Sequence, residues 1–164
     1  DVPGCRACGA CSKLGRCVID DGVNAFAEKM RSADGLIVGS PVYYASPNGA
    51  VISFLDRLFY SHKRELAHKP AAAVAVARRA GTVASFDVLN KYFTISQMPV
   101  VSSTYWNDSF GAAPGQSAQD AEGLQTMRNL ARNMAWLLKC IELGRRGGVE
   151  PPESESGAVT NFIR

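Results

Sequence analysis

The sequence predicts an α/β fold, a doubly wound parallel sheet with helices on both faces, and three observations carry that reading. A short apolar run, then a loop, then residues at helical spacing occurs three times along the 164 residues, the rhythm of successive strand–crossover units. The run Ala71–Ala77 is unbroken Ala and Val, and a strand without polar alternation is one covered on both faces. No internal repeat competes with this pattern.

The elements follow in order. Behind Asp20 and Asp21, which are candidate caps, Val23, Phe26, Ala27 and Met30 recur at helical spacing. Asp34-Gly35 ends that helix, and Leu36-Ile37-Val38 reads as a short buried strand. Ser40-Pro41-Val42-Tyr43-Tyr44-Ala45-Ser46-Pro47 reads as a loop, because two prolines oppose regular structure. Val51, Leu55, Leu58 and Phe59 mark a second helix, with His62 and His68 flanking a Lys/Arg/Glu-rich loop as surface residues. Ala71–Ala77 is followed by the loop Arg78-Arg79-Ala80-Gly81-Thr82 and by a helix carrying Phe86, Leu89 and Phe93. Pro99 to Ser103 reads as a third strand, its core Val100–Ser103, and a Gly- and Pro-rich connection runs from Thr104 to Ser117. The last helix carries Leu124, Met127, Ala131, Met134, Leu138 and Ile141 on one stripe, with Cys140 in a packing position. Three strands alone leave an open apolar edge. The expectation is therefore a domain over 1–147 that is incomplete at its start, lacking a first strand, a phosphate-binding loop, a helix and a second strand. Residues 148–164 are expected to form an extended tail.

Composition narrows the function. Hydrophobic residues make up 46% and charged residues 20% of the chain, ordinary values for a globular domain. No apolar run approaches the ~18 residues of a membrane span, and nothing near Asp1 resembles a signal peptide. A net charge of +3, without a Lys/Arg stripe interleaved with aromatics, argues against a nucleic-acid partner. Four of the five cysteines cluster at Cys5, Cys8, Cys11 and Cys17, unlike the spread of a secreted disulfide framework. Local clustering reads as metal or redox chemistry in a reducing compartment, which predicts a cytoplasmic protein.

Ligands of a doubly wound sheet bind outside the carboxyl ends of its strands. Ser40 to Pro47 offers aromatic rings for a planar heterocycle, and Arg78 to Thr82 offers a glycine and two guanidinium groups. The residues themselves leave three readings open: a flavin, another nucleotide, or tyrosines that cap the core beside solvated arginines. Cys5-x2-Cys8-x2-Cys11-x5-Cys17 supplies four thiolates, enough for one [4Fe–4S] cluster. Zinc and free or regulatory thiols are the alternatives. No Ser–His–Asp or paired-carboxylate arrangement stands out.

The run Gly39-Ser40-Pro41-Val42-Tyr43-Tyr44, followed by Phe54-Leu55-Asp56-Arg57, resembles the NAD(P)H-dependent FMN reductase and iron–sulfur flavoprotein branch of the flavodoxin-like superfamily. So do Arg78-Arg79-Ala80-Gly81-Thr82, the cysteine segment into Cys17-Val18-Ile19-Asp20-Asp21, Tyr105-Trp106-Asn107, and the closing Asn161-Phe162-Ile163-Arg164. The resemblance implies an isoalloxazine ring flanked by Ser40, Pro41, Val42, Tyr43, Tyr44, Ala45 and Ser46 on one side, and by Arg78, Arg79, Ala80, Gly81 and Thr82 on the other. Tyr105, Trp106 and Asn107 follow a strand end, where they would wall the substrate pocket over the flavin, a core or subunit-contact role for Trp106 being the alternative; the resemblance would place the cluster on Cys5, Cys8, Cys11 and Cys17. It also implies FMN with its phosphate bound upstream of Asp1, NAD(P)H as hydride donor, and a homodimer or homotetramer. The acceptor would be a free flavin, a quinone, a metal ion or a cluster. A flavodoxin-like electron carrier serving a protein partner and a redox-sensing cysteine module are the rival readings.

Overall fold

In a computed structural model, residues 2–160 and 162 are described. The chain forms α1 (Cys11–Leu14), α2 (Gly22–Ser32), β1 (Leu36–Tyr43), β2 (Ser46–Pro47), α3 (Gly49–Leu66), β3 (Ala71–Ala77), α4 (Thr82–Thr94), β4 (Asp108–Phe110) and α5 (Ala121–Arg146). The sheet order is β2-β1-β3-β4. β1 pairs parallel with β3 from Leu36↔Ala71 to Pro41↔Val76, and β3 pairs parallel with β4 from Ala75↔Asp108 to Ala77↔Phe110.

The expected layering is present. On one face Val23, Ala27 and Met30 of α2 pack with Leu55, Leu58 and Phe59 of α3 and Leu89 and Phe93 of α4, over Leu36, Val38, Ala71 and Ala73. On the other, Leu130 and Met134 of α5 cover Ala72 and Val101. The five alanines of β3 let helices approach from both sides, which explains why the strand lacks alternation. Asp21 caps α2 by accepting the Val23 N–H, and Asn48 caps α3 by accepting from Ala50 and Val51. Lys69 closes the other end of α2, its Nζ donating to the carbonyls of Met30, Arg31 and Ala33.

Several sequence expectations are corrected. The Ser40–Pro47 stretch is not a loop: β1 runs through Pro41 to Tyr43 and turns back as β2, with Val42↔Pro47 and Tyr43↔Ser46 paired antiparallel. Over Leu36–Pro41 β1 is paired on one side only among the described residues, and a proline is tolerated in a strand with an unpaired edge. Val100–Ser103 is not a strand but a single bridge, Val100 to Ala71. The chain then leaves the sheet, drawn toward α5 by bonds from Asn133 Nδ2 to Ser102 O and from Ser103 Oγ to Thr126 O. It returns as β4 inside the segment expected to be a connection. Asn107 spans the gap, its Nδ2 donating to Ala73 O while its own carbonyl accepts from Ala75 N.

His62, Lys63, Arg64 and Glu65 are not a loop either; they continue α3, and His62 is buried with Nδ1 against Ser61 Oγ. Cys140 is exposed rather than packed. The core line of α5 is Gly123, Thr126, Leu130 and Met134, so Leu124 and Ala131 face outward. A glycine holds that line because a Cβ on Gly123 would meet Asp120 Oδ2 at 2.5 Å and Ser109 Oγ at 2.9 Å.

Candidate functional site

At the carboxyl edge of the sheet, the hairpin after β1 and the loop after β3 meet. Tyr44 and Ala45 both have positive φ, 51° and 56°, which is the two-residue turn that matches strand twist but suits Asn-Gly rather than bulky residues. Tyr44 is fully solvent-exposed at this tip, and Tyr43 stands beside it, also exposed. Gly81 ends the β3–α4 loop at φ +89°, and a Cβ there would lie 2.7 Å from Ala45 Cα and 3.0 Å from Val42 Cγ1. Only glycine allows both that backbone conformation and that approach. The two stretches singled out by sequence are therefore one continuous surface.

Within it the predicted residues divide. Ser40 is buried, its Oγ accepting from Asn48 N–H at 2.8 Å and donating to Pro41 O, so it braces the hairpin. Thr82 is buried too, its Oγ1 donating to Asp108 at 2.8 Å. Pro41, Tyr43, Tyr44, Ala45, Ser46, Arg78, Arg79 and Ala80 are exposed, with Val42 partly buried against Gly81. Ser85 N–H makes the first backward bond of α4, to Gly81 O. The preceding N–H groups open onto the loop, where a helix N-terminus carries partial positive charge. Sequence reasoning missed the bracing residues Asn48 and Asp108. An Asn before Gly49-Ala50 and an apolar run is a cap signal for the first, whereas Asp108 carries none.

Tyr105, Trp106 and Asn107 lie together but differ in role. Tyr105 and Trp106 stack edge-to-face with centroids 5.0 Å apart, both exposed. They line a groove of ≈ 470 Å³ with Phe86 and Asn90. Asn107 is buried at the bottom, tied to β3.

The four cysteines line one cavity of ≈ 170 Å³, closed on the α3 side by Arg57 and Tyr60. The segment crosses α3 at Ser53, whose Oγ lies 3.7 Å from where a Gly4 Cβ would stand. Cys17 is buried, while Cys5 and Cys8 are exposed. Asn24 fixes the Cys17 backbone from both sides, its Oδ1 accepting Cys17 N–H and its Nδ2 donating to Cys17 O, each at 3.0 Å. Asp21, chelated by Arg57, is held below the usual carboxylate range, chiefly by that hydrogen bond. Among the described residues no three His, Cys, Asp or Glu side chains converge on a point where one metal ion could sit. Zinc needs such convergence. A [4Fe–4S] cluster takes one thiolate at each of its four irons; the four cysteines line one cavity without being gathered as a metal-binding group among the described residues. Asn48 to Arg57 is nine residues of α3, about 14 Å at ~1.5 Å per residue, so one helix joins the two places.

The family model for NADPH-dependent FMN reductase matches residues 3–113. An iron-sulfur flavoprotein of Methanocaldococcus jannaschii is 34% identical over 146 residues, covering 84% of this chain and 76% of that protein. The iron-sulfur flavoprotein of Methanosarcina thermophila is 33% identical over 150 residues, covering 88% and 77%. Among solved structures, an oxidoreductase from Corynebacterium diphtheriae superposes with a TM-score of 0.55 at 23% identity, covering 77% of this chain and 65% of that one. The Trp repressor binding protein from Bacillus subtilis gives 0.55 at 18%, covering 71% and 70%. Those two likenesses concern the fold. The closing Asn161, Ile163 and Arg164 of the sequence resemblance lie outside the described residues, as does Asp1. With the sheet, the paired loops and the cysteine cavity in place, the chain belongs to the NADPH-dependent FMN reductase family of flavodoxin-like flavin oxidoreductases.

Proposed function

We propose that the protein is an FMN-dependent oxidoreductase that takes hydride from NADH or NADPH and passes the electrons on through a [4Fe–4S] cluster on Cys5, Cys8, Cys11 and Cys17. The observation that carries this is the seat of Gly81 against Val42 and Ala45, which joins the hairpin tip and the loop after β3 into one surface at the edge where doubly wound sheets bind nucleotides. When bound there, FMN supplies a ring that accepts a hydride at N5 and releases electrons singly or in pairs. Tyr43 and Tyr44 offer aromatic faces to such a ring. Arg78, Arg79 and the free N–H groups at the start of α4 give the opposite rim a positive potential, which favours a ring that gains negative charge. Tyr105 and Trp106 form an aromatic wall suited to a second planar substrate. None of these roles calls for a side-chain acid or base.

The relatives' name supports the cluster, as does the shared cavity of the four cysteines. Anaerobic purification with FMN, iron and sulfide assays, followed by rapid mixing with NADH or NADPH, tests the whole reading. It predicts one FMN and four irons per chain, and bleaching of the flavin by a nicotinamide nucleotide. Flavin that stays oxidised under both nucleotides would favour the electron-carrier alternative.

A further inference from the structure

Arg57 sits in the middle of α3 with 1% of its surface exposed, a costly place for a guanidinium unless it is fully paired. Its donors all serve the cysteine segment. Nη1 and Nη2 chelate Asp21 at 2.6 and 2.7 Å, Nη2 also reaches Ile19 O at 3.0 Å, and Nη1 reaches Pro3 O at 3.3 Å. The remaining donor, Nε, points at Cys17 Sγ, 3.3 Å away. One side chain thus ties both flanks of the cysteine run to the helix and directs a charged N–H at the most buried of the four sulfurs. A scaffold alone would not need that last bond.

We propose that Arg57 is a positioning residue for Cys17 that raises the reduction potential of the cluster, and that Asp21 moderates it by opposing the guanidinium charge. This rests on the cluster reading above. The step concerned is [4Fe–4S]²⁺ + e⁻ → [4Fe–4S]⁺, with no bond made or broken, the electron coming from reduced flavin in turnover or from dithionite in a titration. With four thiolates the charge goes from −2 to −3. Hydrogen bonds to ligand sulfur and nearby cations stabilise the more negative form, and a nearby carboxylate opposes them.

The test compares the parent with Arg57→Gln, Arg57→Lys and Asp21→Asn. Each is reconstituted anaerobically, assayed for iron and sulfide, checked by thermal melting, and titrated with dithionite under EPR. The potential should fall in Arg57→Gln, rise in Asp21→Asn, and lie between Gln and parent in Arg57→Lys. Potentials that move the same way in Arg57→Gln and Asp21→Asn, or not at all, overturn the proposal, because a scaffold gives no opposition of sign. If Arg57→Gln does not fold, Asp21→Asn decides: an upward shift supports the charge pair, and no shift or a downward one overturns it. A parent that takes up no iron removes the cluster reading and this inference together. A loaded parent with unmoved variants removes only the inference.

Discussion

Replacing Gly81 with alanine tests the joint between the hairpin and the β3–α4 loop. At φ +89° a side chain costs ~1–2 kcal/mol in backbone strain. The new Cβ would also stand 2.7 Å from Ala45 Cα, a contact with backbone that forces the hairpin to move and adds roughly 1–2 kcal/mol. The sum is about 2–4 kcal/mol, which for a chain of this length lowers Tm by about 4–16 °C. Gly115→Ala is the matched control: φ is +83° and no atom lies within 4 Å of its Cβ, so it carries the strain without the collision. Denaturant melts and FMN fluorescence titrations of both variants separate the two contributions. Gly81→Ala should lose the extra stability and weaken FMN binding by roughly tenfold, equivalent to ~1.4 kcal/mol, while Gly115→Ala leaves FMN affinity unchanged. Equal stabilities with equal FMN affinities in the two variants would refute the joint as the basis of the FMN surface.

Four further outcomes are expected. Asp21→Ala leaves Arg57 buried without its counter-charge and should cost about 3–5 kcal/mol by urea melts. Because Arg57 lowers the Asp21 pKa in the folded state, and the N–H groups of Gly123 and Phe110 lower that of Asp120, both contributions are complete above an unfolded carboxylate's pKa of ~3.9. They are lost as pH falls through the depressed folded values. Circular dichroism should therefore show acid unfolding of the parent below about pH 4, and a shallower acid limb in Asp21→Ala. Lys69→Met removes three charge-assisted bonds from the end of α2 and should cost about 2 kcal/mol, read as a lower urea midpoint. Tyr44→Gly relieves a positive φ on a bulky residue and should stabilise the fold by about 1 kcal/mol. It should nonetheless weaken FMN binding several-fold, the signature of strain retained for a ligand; tighter binding in a more stable variant would contradict that role.

Where local pattern and tertiary context agree, the sequence was legible. Ala71–Ala77 appears as the central strand with its bounds intact, because continuous small apolar residues fit a strand buried on both faces. The helices behind Asp21, Asn48 and Gly81 were visible from their apolar spacing. What stayed hidden depends on partners distant in sequence. β4 is Asp-Ser-Phe, without an apolar run, and exists because β3 offers it an edge and Asn107 bridges the approach. Pro41 suggested a loop, yet over Leu36–Pro41 its strand is paired on one side only among the described residues. The paired loops were both singled out, but Ser40 and Thr82 turned inward, since each hydroxyl found a partner, Asn48 N–H and Asp108, that no local motif announces. The cysteine spacing identified four donors; the buried Arg57 across from them, forty residues on from Cys17, could not be placed by spacing.

FMN is proposed to bind on the surface formed by the hairpin tip and the start of α4, and a crystal structure of the FMN-loaded protein locates the ring. Isoalloxazine density is expected in contact with Tyr43 or Tyr44 on one side and with the Arg78–Gly81 backbone on the other. Ring density in the Phe86–Trp106 groove or in the cysteine cavity, with none against the hairpin tip, would overturn that placement.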